Sequence, residues 1–169
     1  KEEVRPLVLM TPKSLLRNQI FASEPQEFSE GEFKSFIEQP GLGKNKDAVE
    51  RIVCTTGKMA LDLAQAVDGK EDMDWLHIVR IEEIYPFPFA GVQELFASYP
   101  NLKEIKWVQE EPKNMGAWTF VEPRLRAASP EGVTVDYIGR RRRSSPAEGD
   151  PTIHKKIQNH IITSALTRE

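Results

Sequence analysis

A chain of 169 residues, 39% of them hydrophobic and 29% charged, holds enough apolar material for one ordinary core, since domains cluster near about 100 to 150 residues. That balance excludes a disordered segment, and no apolar run approaches the ~18 residues that would mark a membrane helix. A net charge of -3 excludes a protein built chiefly to coat nucleic acid or an anionic membrane.

The opening KEEVRPLVLM has neither an initiating Met nor a signal-like apolar segment, so the chain is expected to be a piece of something longer. PLVLM, residues 6–10, is short, apolar and stopped by Thr11-Pro12, which suggests a buried strand. Residues 11–47 lack sustained periodicity and predict a helical turn at 13–17 followed by a long irregular excursion. RIVCT (51–55) predicts a strand; the lone Cys54 within it can form no internal disulfide and reads as a reduced, buried thiol of a cytoplasmic protein. GKMALDLAQAV (57–67) follows with Ala60, Leu63, Ala64 and Val67 at helical spacing and Thr56 as N-cap.

The alternation then repeats. WLHIVRI (75–81) is a strand, residues 89–99 a helix through Phe89, Val92, Leu95 and Phe96, and EIKWVQ (104–109) a strand. A helix over 115–128, bent or interrupted at Pro123, leads to the strand VTVDYI (133–138). In the closing helix Asp150 caps, Pro151 takes the first position, and Ile153, Ile157, Ile161 and Ala165 form an apolar stripe. Strands alternating with helices imply crossover connections. The fold expected is therefore a single α/β domain over 1–169: a three-layer arrangement around a mostly parallel sheet of about five strands.

Loops that follow the strands of such a sheet share one edge, where ligands usually bind. That places Thr11 and Lys13, Thr56 to Lys58, Glu82 and Glu83, Gln109 to Glu111, and Arg140 to Arg143 on one polar rim. CTTGK has a phosphate-loop look, but Ile52 replaces the earlier Gly and Met59 the magnesium-binding hydroxyl, leaving either an anion contact by Lys58 or an ordinary helix start. His77, His154 and His160 show no ligand spacing with each other or with Cys54, so no metal site is expected. No nucleophile motif is present either, and the adjacent pairs Glu82-Glu83 and Glu110-Glu111 are read as partners for nearby arginines. From the residues alone, the chain offers a rim for anions and no catalytic group.

RPLVLMTPKSLLRN, IVRIEEIYPFP, VQEEPKNMGAW and SSPAEG together resemble the C-terminal domain of the decarboxylating first component of 2-oxoglutarate dehydrogenase, and GRRRRSSPAEGDPT is similar to the form in Bacillus-like relatives. The resemblance implies a transketolase-like C-terminal fold. It also implies a parent enzyme that is a homodimer using thiamine diphosphate and magnesium to decarboxylate 2-oxoglutarate and pass the succinyl group to the lipoyl arm of a dihydrolipoyl succinyltransferase, in the tricarboxylic acid cycle. In that family the cofactor lies between two preceding domains, so this part is expected to hold no cofactor, to pack against those domains, and to support the dimer and regulatory ligands. Phe87, Phe89 and Trp118 are candidates for the apolar surface that meets them. The effector expected from the resemblance is acetyl-CoA or AMP, on Thr11, Lys58, Gln109, Arg140 and Arg141, although Gln26 stands where the acetyl-CoA binders carry an arginine.

Two alternatives stay open: a stand-alone nucleotide-sensing or interaction module of the same fold, and a related pyruvate or branched-chain 2-oxo acid enzyme. The four consecutive arginines likewise keep three readings: a solvated face, an interface paired with Glu110 or Glu111, or an anion site.

Overall fold

The computed structural model describes residues 5, 6, 8–17 and 22–168, which fall into two compact units, Lys1–Phe33 and Lys34–Glu169. In the first, a 3-10 turn spans Lys13–Leu15 and a short helix, α1, spans Pro25–Ser29. Its start is a capping box between Glu24 and Glu27, with the Glu24 amide donating to Glu27 Oε2 at 3.0 Å. Neither element buries a residue.

The strand expected at residues 6–10 does not form among its described residues, and Leu7 lies outside them. Val8 and Leu9 are each 75% exposed and Met10 is 92% exposed. An apolar run becomes a strand only where it has a sheet edge to pair with, and in the second unit the strand at the sheet margin comes from within the expected irregular stretch.

That strand is β1, Phe36–Glu38; β2 spans Arg51–Thr55, β3 Leu76–Ile81, β4 Glu104–Pro112 and β5 Thr134–Arg140. Their order is β1-β3-β2-β4-β5. β1 runs antiparallel to β3, with Phe36 opposite Ile81, and the other neighbours are parallel. The sheet is thus the mostly parallel five-strand sheet expected, with a different first member.

Alternation along the strands builds two cores. Ile52, Cys54, Val79, Ile81, Ile105, Trp107 and Val135 share one cluster with Val92, Leu95 and Phe96 of α3 (Phe89–Ala97) and Trp118, Val121 and Leu125 of α4 (Trp118–Ala128). Val53, Leu76, Ile78 and Val108 share the other with Met59, Leu63 and Val67 of α2 (Lys58–Val67) and Ile161 and Ala165 of α5 (Pro151–Ala165). Three layers result, as the β-α alternation predicts.

Several local expectations change. Trp118 is 7% exposed and belongs to the core, not to an apolar surface; Phe87 packs partly buried against that core, and Phe89 is 39% exposed. Gly57, at φ +57°, caps α2 in place of Thr56. Pro123 sits inside an uninterrupted α4. In α5 Asp150 does cap, accepting from the Ile153 amide at 2.9 Å, but Ile153 is 53% exposed and Gln158 joins the buried face. No helix among the described residues is long and apolar enough to cross a membrane.

Candidate functional site

The C-terminal ends of β4 and β5 carry a network of buried polar side chains. Strand parity divides it. Gln109 shares the face of Ile105 and Trp107, whereas Arg140 emerges on the α2–α5 side, where it meets His154 and Gln158.

Arg140, 3% exposed, is the hub. Its Nη1 donates to the Glu110 carbonyl at 2.5 Å and to Gln158 Oε1 at 3.2 Å, its Nε to Glu148 Oε2 at 3.0 Å, and its Nη2 to His154 Nδ1 at 3.2 Å. Glu148 is shared. Its Oε1 faces Arg143 Nη1 at 2.7 Å, and its side chain is 4% exposed. Burial pushes the Glu148 carboxyl up, but the hydrogen bond and charge of Arg140, with the charge of Arg143, outweigh it and hold the group below its ordinary value. The network then crosses α5 and reaches α2: Gln158 Nε2 donates to Asp62 Oδ2 at 3.0 Å, and Lys58 Nζ donates to the two Asp62 oxygens at 2.7 and 2.6 Å. One chain of hydrogen bonds therefore joins Arg140 to Lys58.

The five anion candidates occupy four different situations. Lys58 and Arg140 belong to the same network, Lys58 at its half-exposed end. Arg141 is exposed beside it. Gln109 is 2% exposed, accepts from Trp107 Nε1 at 2.8 Å and from the Trp118 amide at 3.1 Å, and donates to the carbonyls of Glu111, Pro112 and Met115. It ties the end of β4 to the start of α4. Thr11 is exposed in the first unit.

The model of the 2-oxoglutarate dehydrogenase C-terminal family matches residues 22–166. The chain belongs to that family. Within the 2-oxoglutarate dehydrogenase C-terminal family it is similar to proteins called 2-oxoglutarate dehydrogenase E1 component: 61% identical over 169 residues to that of Geobacillus sp. (strain WCH70), and 58% identical over 170 residues to that of Bacillus subtilis (strain 168). Each alignment covers 100% of this chain and 18% of the relative, so the chain spans under a fifth of the length of the proteins it matches.

For this family member the arginine run resolves residue by residue. Arg140 and Arg143 hold one carboxylate, and Arg141 and Arg142 are exposed. The carboxylate is that of Glu148 and not the expected Glu110 or Glu111; Glu110 supplies its backbone carbonyl to Arg140, and its side chain faces His154 at 3.9 Å. Glu82 does pair with an arginine, Arg80. Sequence reasoning also missed Asp62, His154 and Gln158. The helical spacing of His154 and Gln158, four residues apart on α5, was the available sign that both face the same layer.

A second polar group lies under the residues that follow β1. His77, 1% exposed, contacts Glu38 Oε2 at 2.8 Å through Nε2, and Tyr99 Oη donates to the same oxygen at 3.3 Å. His77 Nδ1 has no hydrogen-bond partner among the described residues. Burial lowers the His77 pKa, and the Glu38 carboxylate only partly restores it. This is a packed histidine.

Proposed function

We infer that this chain is a structural and regulatory portion of a thiamine-diphosphate-dependent 2-oxoglutarate dehydrogenase, and that the decarboxylation is carried out by parts of the parent protein outside these residues. The observation that carries this reading is the match at 61% identity across the whole chain to a protein of which it covers 18%. Such a share favours a portion of a large enzyme over a stand-alone sensing module.

The residues do not fit the magnesium-diphosphate end of the cofactor. Among the described residues no three His, Cys, Asp or Glu side chains are grouped so as to hold a metal ion, and the rim cations Arg140, buried, and Lys58, half-exposed, are already matched by Glu148 and Asp62. No step of the reaction is therefore routed through them. In the parent enzyme this portion packs against the preceding domains within a cytoplasmic homodimer, which hands the succinyl group to a dihydrolipoyl succinyltransferase in the tricarboxylic acid cycle.

The rim supplies the regulatory half of the reading. Acetyl-CoA or AMP would bring phosphate to Arg141, with Lys58 and Arg140 behind it in one hydrogen-bonded chain, while Thr11, also suggested by the family, belongs to the first unit. Gln109 contributes by fixing the β4 end, since its amide is already engaged.

Two measurements test this. The isolated chain, given thiamine diphosphate, magnesium and 2-oxoglutarate, should release no carbon dioxide above a blank, while the parent enzyme does; release by the isolated chain would overturn the assignment. Calorimetric titration of the parent enzyme with acetyl-CoA and with AMP should show affinity falling about tenfold or more in Arg141→Ala, the effect of losing a direct guanidinium-phosphate contact. Unchanged affinity would remove Arg141 from the site.

A further inference from the structure

The Glu148 clamp uses two of the four arginines and leaves the middle pair in water. Arg140 and Arg143 are engaged with Glu148, whereas Arg141 and Arg142 are exposed and make no hydrogen bond or ion pair among the described residues. Directly after them stand two exposed serines that differ in one respect. Ser145 Oγ donates to the Ala147 carbonyl at 2.9 Å, while the Ser144 hydroxyl has no partner among the described residues. We propose that Ser144 is a phosphorylation site for a basophilic serine/threonine kinase.

Kinases of that class choose substrates by charge, with acidic pockets that take guanidinium groups placed two and three residues before the acceptor; each such pairing is a charge-assisted, often bidentate contact. Counting back from Ser144, those positions are Arg142 and Arg141, the two arginines the fold leaves available. Counting back from Ser145 they are Arg143 and Arg142, and Arg143 is already held by Glu148. The fold therefore distinguishes two adjacent serines that the sequence presents as equivalents.

Residues 141–149 form neither helix nor strand, so their backbone has no ladder to break on entering a kinase cleft. What restrains them locally is a reciprocal pair at Arg143, whose amide donates to Asn114 Oδ1 at 3.0 Å and whose carbonyl accepts from Asn114 Nδ2 at 2.9 Å. Both bonds are exposed, and water replaces them at little cost.

In the transfer, the Ser144 hydroxyl oxygen forms a bond to the γ-phosphorus of a nucleoside triphosphate. The bond from that phosphorus to the bridging oxygen breaks, the diphosphate leaves, and the hydroxyl proton passes to the kinase's base. The new group carries about -1.5 to -2 charge on the residue next to Arg143. It competes with Glu148 for that guanidinium, and like charge then repels the Glu148 carboxylate, so modification loosens the loop.

The test treats the full-length enzyme with the catalytic subunit of the cyclic-AMP-dependent protein kinase, ATP and magnesium, and maps phosphate by fragmentation mass spectrometry. The expected result is one phosphate on Ser144, absent in Ser144→Ala, retained in Ser145→Ala, and added about tenfold or more slowly in Arg142→Ala, as loss of one guanidinium contact to the kinase requires. The Arg143 amide, held by Asn114 Oδ1, should exchange hydrogen faster in the modified protein than in the unmodified one. Phosphate on Ser145 instead, incorporation only after thermal unfolding, or an unchanged rate in Arg142→Ala would each overturn the proposal.

Discussion

At the scale of single residues, the engaged amide of Gln109 matters more to stability than its chemistry would suggest in isolation. Its oxygen caps Trp118 at the start of α4 and takes the indole N–H of Trp107, while its nitrogen serves three backbone carbonyls. Gln109→Leu leaves these buried groups unpaired and should lower stability by about 3 kcal/mol, read from the urea midpoint; a loss near zero would show that the network re-forms through water. Gly116 makes this possible, because at φ +65° any Cβ there would lie 2.9 Å from Gln109 Nε2. His77 behaves differently. Because burial lowers its pKa, the folded state binds fewer protons than the unfolded chain. The stability this represents is complete above the unfolded value near about 6.5 and is lost as pH falls from there through the lower folded value. His77→Phe should flatten the change in urea midpoint between about pH 7 and pH 5, and an equal slope in both proteins would place the acid sensitivity elsewhere. The partner of Arg140 was not readable from sequence: neighbouring glutamates were the obvious candidates, and the one that pairs arrives from the loop between β5 and α5.

At the scale of elements, β2 to β5 were legible because each is a compact run of apolar and β-branched residues bounded by turn-forming ones. β1 was not. Three residues, Phe36–Glu38, carry no period, and their strand character depends on pairing with β3. The same ambiguity explains Val8, Leu9 and Met10, since an exposed apolar run and a buried strand look alike in one dimension. Another feature invisible in the pattern is the irregularity between β4 and β5, where the register jumps from Val108–Ile138 to Pro112–Arg140. The Tyr137 hydroxyl bridges that break, its one hydrogen shared between the carbonyls of Glu111 at 2.7 Å and Arg140 at 2.9 Å. Gly139 leaves room for it: an added Cβ would fall 2.3 Å from that hydroxyl and 2.7 Å from the Gln109 carbonyl. Gly139→Ala should therefore destabilise by about 1 to 3 kcal/mol through overpacking and should speed hydrogen exchange at the end of β5. Exchange protection unchanged at Arg140 would count against the account. Loss of the Glu148 charge acts on the next element: Glu148→Gln removes the carboxylate shared by Arg140 and Arg143. It should lower the melting temperature most at neutral pH and less under acid conditions that protonate the wild-type group, and a pH-independent difference would exclude the ion pair as its cause.

At the scale of the whole molecule, family membership was legible through long motifs spread along the chain, whereas the residues' own chemistry pointed only to an anion-binding rim. The two units differ in what holds them. The second has apolar clusters on both faces of its sheet, with residues such as Ile52, Leu63, Phe96 and Leu125 fully enclosed. The described part of the first has no buried residue and leaves Phe28 81% and Phe33 74% exposed. Since burial of apolar surface is the main favourable term in folding, the cooperative stability of the chain is assigned to Lys34–Glu169. Removing residues 1–33 tests this: the shortened chain, Lys34–Glu169, should melt cooperatively at the temperature of the whole chain. A shortened chain that unfolds or melts lower would mean that residues up to Phe33 contribute to the fold, and the stability assigned to the five-strand sheet and its two helix layers would have to be shared with them.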